Sequence, residues 1–251
     1  MITIKPKIPF KIYTFDSVDS TNNICKELAL KGEKTAIVIA DSQTQGKGRL
    51  GRSFFSPQRT GIYMSLLLRP DISPKDCNLI TTAAAVAVSD AIDTISGKNT
   101  LIKWVNDIYL DGKKICGILC ESGFSNNDGA LDYVILGIGI NLFTPENSFP
   151  DELKDIASSV FTKSVNDSDI KRKLIEEIIN NFLLIYNRLP DKEYMKRYRE
   201  KSFLTGKTVS FEKNGVQCTG VVADIDDDAK IIIQTSSETV TLFAGEVTLK
   251  F

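Results

Sequence analysis

Gly46-Lys47-Gly48-Arg49-Leu50-Gly51-Arg52 is the stretch on which the fold of this chain turns. Its glycines match G-x-G-x-x-G, and an apolar run at 35–40 precedes them. That spacing would give a dinucleotide-binding βαβ unit if the turn followed its strand tightly and opened a helix. Neither condition holds. Residues 41–45 form a polar spacer, and Ser53-Phe54-Phe55-Ser56-Pro57 leads into another strand. Lys47, Arg49 and Arg52 also supply cations that a pyrophosphate on a helix N-terminus does not need. A nicotinamide-binding fold is therefore set aside. A solvated surface turn and an anion cradle remain. In a cradle, glycines let backbone N–H groups approach a phosphate and the intervening cations add charge-assisted hydrogen bonds. The pattern favours the cradle. Such a loop is expected to be mobile when empty and to order on ligand binding.

Outward from the loop, the chain reads as α+β. Residues 9–15 alternate like a strand, 17–23 form a polar turn, and 24–30 a short amphipathic helix. Ser20 is the expected N-cap and Gly32 the expected stop. Strands are expected at 35–40 and 61–68, then a long, mostly buried helix at 74–95. Strands at 100–105, 114–121 and 131–140 follow, the first two joined through 106–113 with its Asp111-Gly112 turn. Helices are expected near 168–188 and 191–201. After Gly206 the texture changes to short β-rich pieces at 207–212, 216–223, 230–234, 239–243 and 246–250. These read as a small all-β barrel of about five strands. The expected domains are 1–204 and 205–251.

Composition narrows the chemistry. A chain of 251 residues, 42% hydrophobic and 25% charged, suits an ordinary globular protein of one large domain with a small appendage. A net charge of -1 gives no general field for nucleic acid, so no DNA partner is expected. No apolar run approaches the length of a membrane span, and residues 1–10 lack the pattern of a signal peptide. The expected compartment is the cytoplasm. The scattered cysteines, 25, 77, 116, 120 and 218, read as buried small hydrophobes in a reducing compartment. Cys116 and Cys120 should share one side of a strand. Histidine is absent, which removes Ser-His-Asp and Cys-His mechanisms and imidazole zinc sites.

Three further segments stand in register with the loop. They are Asp19-Ser20-Thr21-Asn22, Lys103-Trp104-Val105-Asn106-Asp107 with Lys113-Lys114-Ile115-Cys116-Gly117-Ile118-Leu119-Cys120-Glu121, and Gly137-Ile138-Gly139-Ile140-Asn141-Leu142. Together they resemble biotin protein ligases, in order, from about residue 12 to 250. The resemblance implies a catalytic domain related to class II aminoacyl-tRNA synthetases and a small SH3-like C-terminal domain. It implies ATP, Mg²⁺ and biotin as reactants, biotinyl-5′-AMP as intermediate, and a lysine of a biotin carboxyl carrier protein as acceptor. The pattern begins almost at Met1, which resembles the monofunctional class without an N-terminal DNA-binding domain.

Carried over residue by residue, the resemblance puts Ser20, Thr21, Asn22, Gln43, Lys47, Gly48, Arg49, Lys103 and Gly117 around biotin. It puts Lys47, Arg49, Arg52, Phe54, Asn106, Asn141 and Lys250 around the adenylate. Lys103 with Arg49 would be catalytic, Lys103 lying between the biotin carboxylate and the α-phosphate. Asp107 is a metal candidate by proximity alone. The 115–120 and 134–140 strands, with Gly117, Gly137 and Gly139, are expected to floor the ring pocket. Three positions depart from the family pattern: Lys47 for arginine, Phe54 for tryptophan and Val105 for proline. Lipoate or octanoate ligases of the same superfamily, and a non-catalytic biotin-binding regulator, are the alternatives. The sequence leaves the oligomeric state open, a homodimer included.

Overall fold

A computed structural model of the chain describes residues 10–125, 130–162, 167–243, 245 and 247–249. Strand β1 (Lys11–Phe15), helix α1 (Thr21–Leu30) and strand β2 (Ala36–Ala40) open the fold. β1 and β2 pair in parallel, so α1 is their crossover. Then come β3 (Gly61–Leu68), α2 (Cys77–Ser96), β4 (Leu101–Lys103), β5 (Asp107–Leu110), β6 (Lys113–Phe124) and β7 (Leu131–Asn141). They form one mixed sheet in the order β1-β2-β3-β7-β6-β5-β4, antiparallel everywhere except at β1–β2.

Successive side chains of a strand point to opposite faces, and this period divides the sheet. Ile37, Ile39, Ile62, Met64, Leu66, Leu136 and Ile138 face α2 and α3 (Asp167–Tyr186) in the main core. Ala36, Val38, Leu67, Tyr133 and Ile135 face the other way, onto Cys25 and Ala29 of α1. α2 is apolar nearly all round because it lies between the sheet and α3. By length and composition alone, 74–96 would pass for a membrane span, contrary to the reading that no run approaches one; most of it is buried inside the protein.

Strand β5 lies where the sequence suggested only a connection. It is four residues long, and Asp111 and Gly112 end it in left-handed backbone (φ 50° and 76°). Ser20 sits at the N-cap with extended backbone but makes no side-chain cap. Instead Thr21 N–H donates to Gln43 Oε1 at 2.8 Å, so a residue from another segment satisfies the orphan amide.

Beyond α4 (Tyr194–Glu200), strands β8 (Thr208–Lys213), β9 (Val216–Ile225), β10 (Ile231–Gln234), β11 (Thr239–Leu242) and β12 (Val247–Leu249) form an antiparallel sheet, ordered β11-β10-β9-β8-β12. Asn214 and Gly215, at φ 53° and 78°, make the β8–β9 turn. The loop after β9 is pinned to the larger sheet's helices and turn. Trp104 Nε1–H donates to Ala229 O (2.8 Å), Arg199 pairs with Asp227 (2.7 Å), and Lys192 with Asp228 (2.6 Å). The Trp104–Val105 peptide is cis.

All five cysteines are free, and Cys25 and Cys116 are fully buried. Burial pushes the Cys25 thiol up to about 12 and the Cys116 thiol higher still; it also pushes the Tyr63 and Tyr109 phenols up to about 12. In the unfolded chain a thiol ionises near 9 and a phenol near 10. Between those values and 12 the unfolded state releases protons that the folded state keeps, so stability is complete below pH 9 and falls above it. Denaturant unfolding at pH 8 and pH 10.5 should show a loss of about 2 kcal/mol for each of the two fully buried thiols. Equal midpoints at the two pH values would contradict this.

Candidate active site

On the α1 face of the sheet, α1 covers only the part that carries Leu67, Tyr133 and Ile135. The strands continue past it with Gly117 on β6 and Gly137 and Gly139 on β7. Added side chains would press on their neighbours there, severely at Gly137 and Gly139 and mildly at Gly117. A Cβ at Gly137 would land on Asn22 Oδ1, one at Gly139 would lie 2.6 Å from the Phe54 ring, and one at Gly117 would lie 3.3 Å from both Lys114 Nζ and the Phe54 ring. These glycines floor a small solvent-open cavity walled by Ser20, Thr21, Asn22, Gln43 and Lys47.

Its polar wall is a closed network. Gln43 Oε1 accepts from Thr21 N–H and Thr21 Oγ1 (3.1 Å), and Gln43 Nε2 donates to Ser56 Oγ at 3.0 Å. Ser65, fully buried on β3, donates to Asn22 Oδ1 at 2.6 Å and lies 2.7 Å from Thr21 Oγ1. Asn22 Nδ2 donates to Glu121 Oε2 at 2.6 Å. The amide of Asn22 is therefore held at both ends, and its orientation is fixed by partners from β3 and β6.

The glycine loop forms a narrow hairpin. Phe54 N–H donates to Gly46 O (2.8 Å) and Gly48 N–H to Arg52 O (2.7 Å). Leu50 at the tip is left-handed, with φ 55°, and largely exposed. One side chain draws the hairpin toward the sheet. It is Arg49, donating to Asn106 Oδ1 at 2.9 Å and to Gly245 O of the C-terminal part at 3.3 Å. Asn106 is itself held by Ile118 O at 2.8 Å. A second, larger and solvent-open cavity lies between Lys47, Gly48, Arg49, Arg52, Asn106 and Lys114.

A third cavity, larger again, adjoins the second through Phe54, Asp107 and Lys114. Tyr109, Phe149, Leu153 and Ile156 give it an apolar wall, and Lys103 and Asn141 give it polar groups. Lys103 Nζ lies 5.9 Å from the Tyr109 ring centre, at cation–π range, and lines this cavity alone of the three. Lys114 lines the second and third cavities, holds its Nζ 3.3 Å from where a Cβ on Gly117 would lie, and pairs with Asp107 at 2.8 Å.

The structure thus brings Ser20, Thr21, Asn22, Gln43, Lys47 and Gly117 to the first cavity, Gly48, Arg49 and Asn106 to the second, and Lys103 and Asn141 to the third, with Arg52, Phe54 and Asp107 lining both of the larger two. Lys250 lies outside the described residues. Sequence reasoning missed Ser65, Lys114, Tyr109 and Glu121 as members of the site. Lys114 carried no local signal: three residues before Gly117, a regular strand would put it on the opposite face, and the bulge marked by the β5–β6 register shift brings it to the floor side. Asp107 faces an ammonium, and among the described residues no three acidic or sulfur groups cluster as a metal cage.

The family model of the "Biotin/lipoate A/B protein ligase family" matches residues 14–141. The "Bifunctional ligase/repressor BirA" of Bacillus subtilis (strain 168) is 33% identical over 243 residues, covering 93% of this chain and 72% of the relative. The "Biotin--[acetyl-CoA-carboxylase] ligase" of Mycobacterium tuberculosis is 30% identical over 219 residues, covering 84% of this chain and 77% of the relative. Among solved structures, the biotin protein ligase from Aquifex aeolicus in complex with biotin and ATP superposes with a TM-score of 0.76. It is 27% identical, with 96% of this chain and 98% of that one covered. Likeness of this extent, spanning the α1 segment, the loop and the glycine floor alike, shows that the chain belongs to the biotin/lipoate A/B protein ligase family, as a biotin protein ligase.

Proposed function

We propose that the three joined cavities carry out both halves of biotin transfer, with the ring system on the glycine floor, the reacting groups at the loop and the adenosine in the third cavity. The supporting observation is the convergence of Lys47, Arg49 and Lys114 where the glycine-floored cavity meets the two larger ones. A carboxylate lacks a leaving group, so it must first attack the α-phosphate of ATP and expel pyrophosphate. Two anions then have to meet, and fixed cations at their junction stabilise the charge that develops in line. Lys114 is the ammonium best placed for this, since it alone of the two candidate lysines reaches the junction. Lys103 serves the nucleotide side, over Tyr109.

Arg49, held by Asn106, keeps the loop over the mixed anhydride. A neutral lysine amine of a biotin carboxyl carrier domain then attacks the acyl carbon and AMP leaves, a step that needs no histidine. Asp107 does not fit as a metal ligand in this arrangement, because Lys114 occupies it. Mg²⁺ therefore enters as the companion of ATP's phosphates, held by them and by water, as that ion commonly is. The reading divides the chain near residue 205 into a catalytic domain of the class II synthetase type and an SH3-like unit of β8–β12, placed in the reducing cytoplasm that five free thiols suit.

Incubation with biotin, ATP and Mg²⁺ should give biotinyl-5′-AMP by mass spectrometry, and label a carrier domain once added. Lipoate in place of biotin should give at least about 100-fold less adenylate, since an apolar slot with fixed polar groups rejects a ligand that leaves those groups unpaired. Lipoyl-adenylate at comparable yield would overturn the biotin assignment.

A further inference from the structure

Glu121 stands on β6 beside the glycine loop, behind Asn22 and Lys47 of the first cavity's wall, and makes two unequal contacts. Its Oε2 accepts from Asn22 Nδ2 at 2.6 Å, while its Oε1 lies 3.4 Å from Lys47 Nζ. Charge-assisted N–H···O bonds run at about 2.7–2.9 Å, so the second contact is loose. Both side chains of that pair are over one-third exposed, at 36% and 38%, and water and salt compete for them. Lys47 meanwhile lines the first and second cavities, where anions must arrive. The opposite wall differs: Lys114 and Asp107 close to 2.8 Å with less exposure.

We infer that Glu121 is an internal counter-ion for Lys47: it holds the ammonium in the ligand-free site and yields it to the ligand's carboxylate or phosphate. The Asn22 contact keeps the carboxylate in place when Lys47 departs. Glu121 is thus a positioning residue that opposes ligand retention, unlike a structural residue, whose loss can only weaken binding. This inference rests on the anionic ligand proposed above.

The test uses the full chain as wild type, E121Q, K47Q and the double variant, reading the dissociation rate of biotinyl-5′-adenylate. Calorimetric titration of ATP reads the same coupling without turnover. Gln at 121 can still accept from Asn22, so the variant removes charge and little else. E121Q should release the adenylate about threefold more slowly at low salt, with the gain shrinking as ionic strength rises. K47Q should release it faster, and E121Q should add nothing in the K47Q background. Faster or unchanged release in E121Q, or an equal gain without Lys47, overturns the inference. Glu238→Gln, which removes a carboxylate from the exposed Lys213 pair on the C-terminal sheet, is the control and should match wild type. If wild type forms no adenylate, the proposed function fails; the ATP titration still decides the Lys47–Glu121 coupling.

Discussion

Lys114→Ala is expected to lose pyrophosphate release from biotin and ATP by at least about 100-fold, the scale on which a single preorganised charge contact in a transition state is worth. The ammonium sits 3.3 Å from a Cβ position on the pocket floor, is paired with Asp107, and borders the two larger cavities. Lys103→Ala should cost less, about tenfold, and chiefly as a raised KM for ATP, because its side chain lines the third cavity beside Tyr109. Steady-state pyrophosphate release on both variants decides between them. A larger kcat loss in Lys103→Ala than in Lys114→Ala would return the central role to Lys103.

Gly137→Ala should raise the KM for biotin more than about tenfold and lower unfolding stability by about 1–3 kcal/mol. The added methyl lands on Asn22 Oδ1, which is already held by Ser65 while Glu121 holds the other end of the amide. Moving Asn22 breaks both bonds and shifts the wall of the ring pocket. Gly123→Ala is the comparison. Its Cβ would collide as closely with the Tyr133 ring, but it lies beyond the cavity, on the neighbouring strand β6. It should lose stability without the change in biotin KM. Calorimetric biotin titration and thermal unfolding of both variants check this, and equal biotin affinity in Gly137→Ala and wild type would refute it.

These two positions show unequal legibility. β3 was readable to the residue because Gly61 and the following apolar run bound it sharply. The long α2 was readable because its apolar positions recur at helical spacing, and the C-terminal strands because turn residues separate short β-rich pieces. β5 was not readable: four residues are too few to show a period, and only pairing with β4 and β6 makes them a strand. Ser20 was read as a cap from its type and place, yet it makes no side-chain cap, and the first helical amide, that of Thr21, is satisfied by Gln43 from a distant segment.

In the site, residue type and local spacing carried the glycine loop and the floor glycines, and the family resemblance carried the Ser20-Thr21-Asn22 segment. These are local features, set by backbone freedom and by the period of a strand. Which of the two lysines meets the reacting centre was not local. Lys103 and Lys114 lie on strands β4 and β6, separated by β5, and the pairing of those strands aims one at Tyr109 and the other at the glycine floor. The same holds for Ser65, Glu121 and the Arg49–Gly245 contact, whose partners lie 43, 99 and 196 residues away in sequence. Most element types and the family were legible because both are written in runs of neighbouring residues, β5 excepted. Which charges face each other follows from strand register and from packing between segments far apart in the chain, and no run of neighbours encodes that.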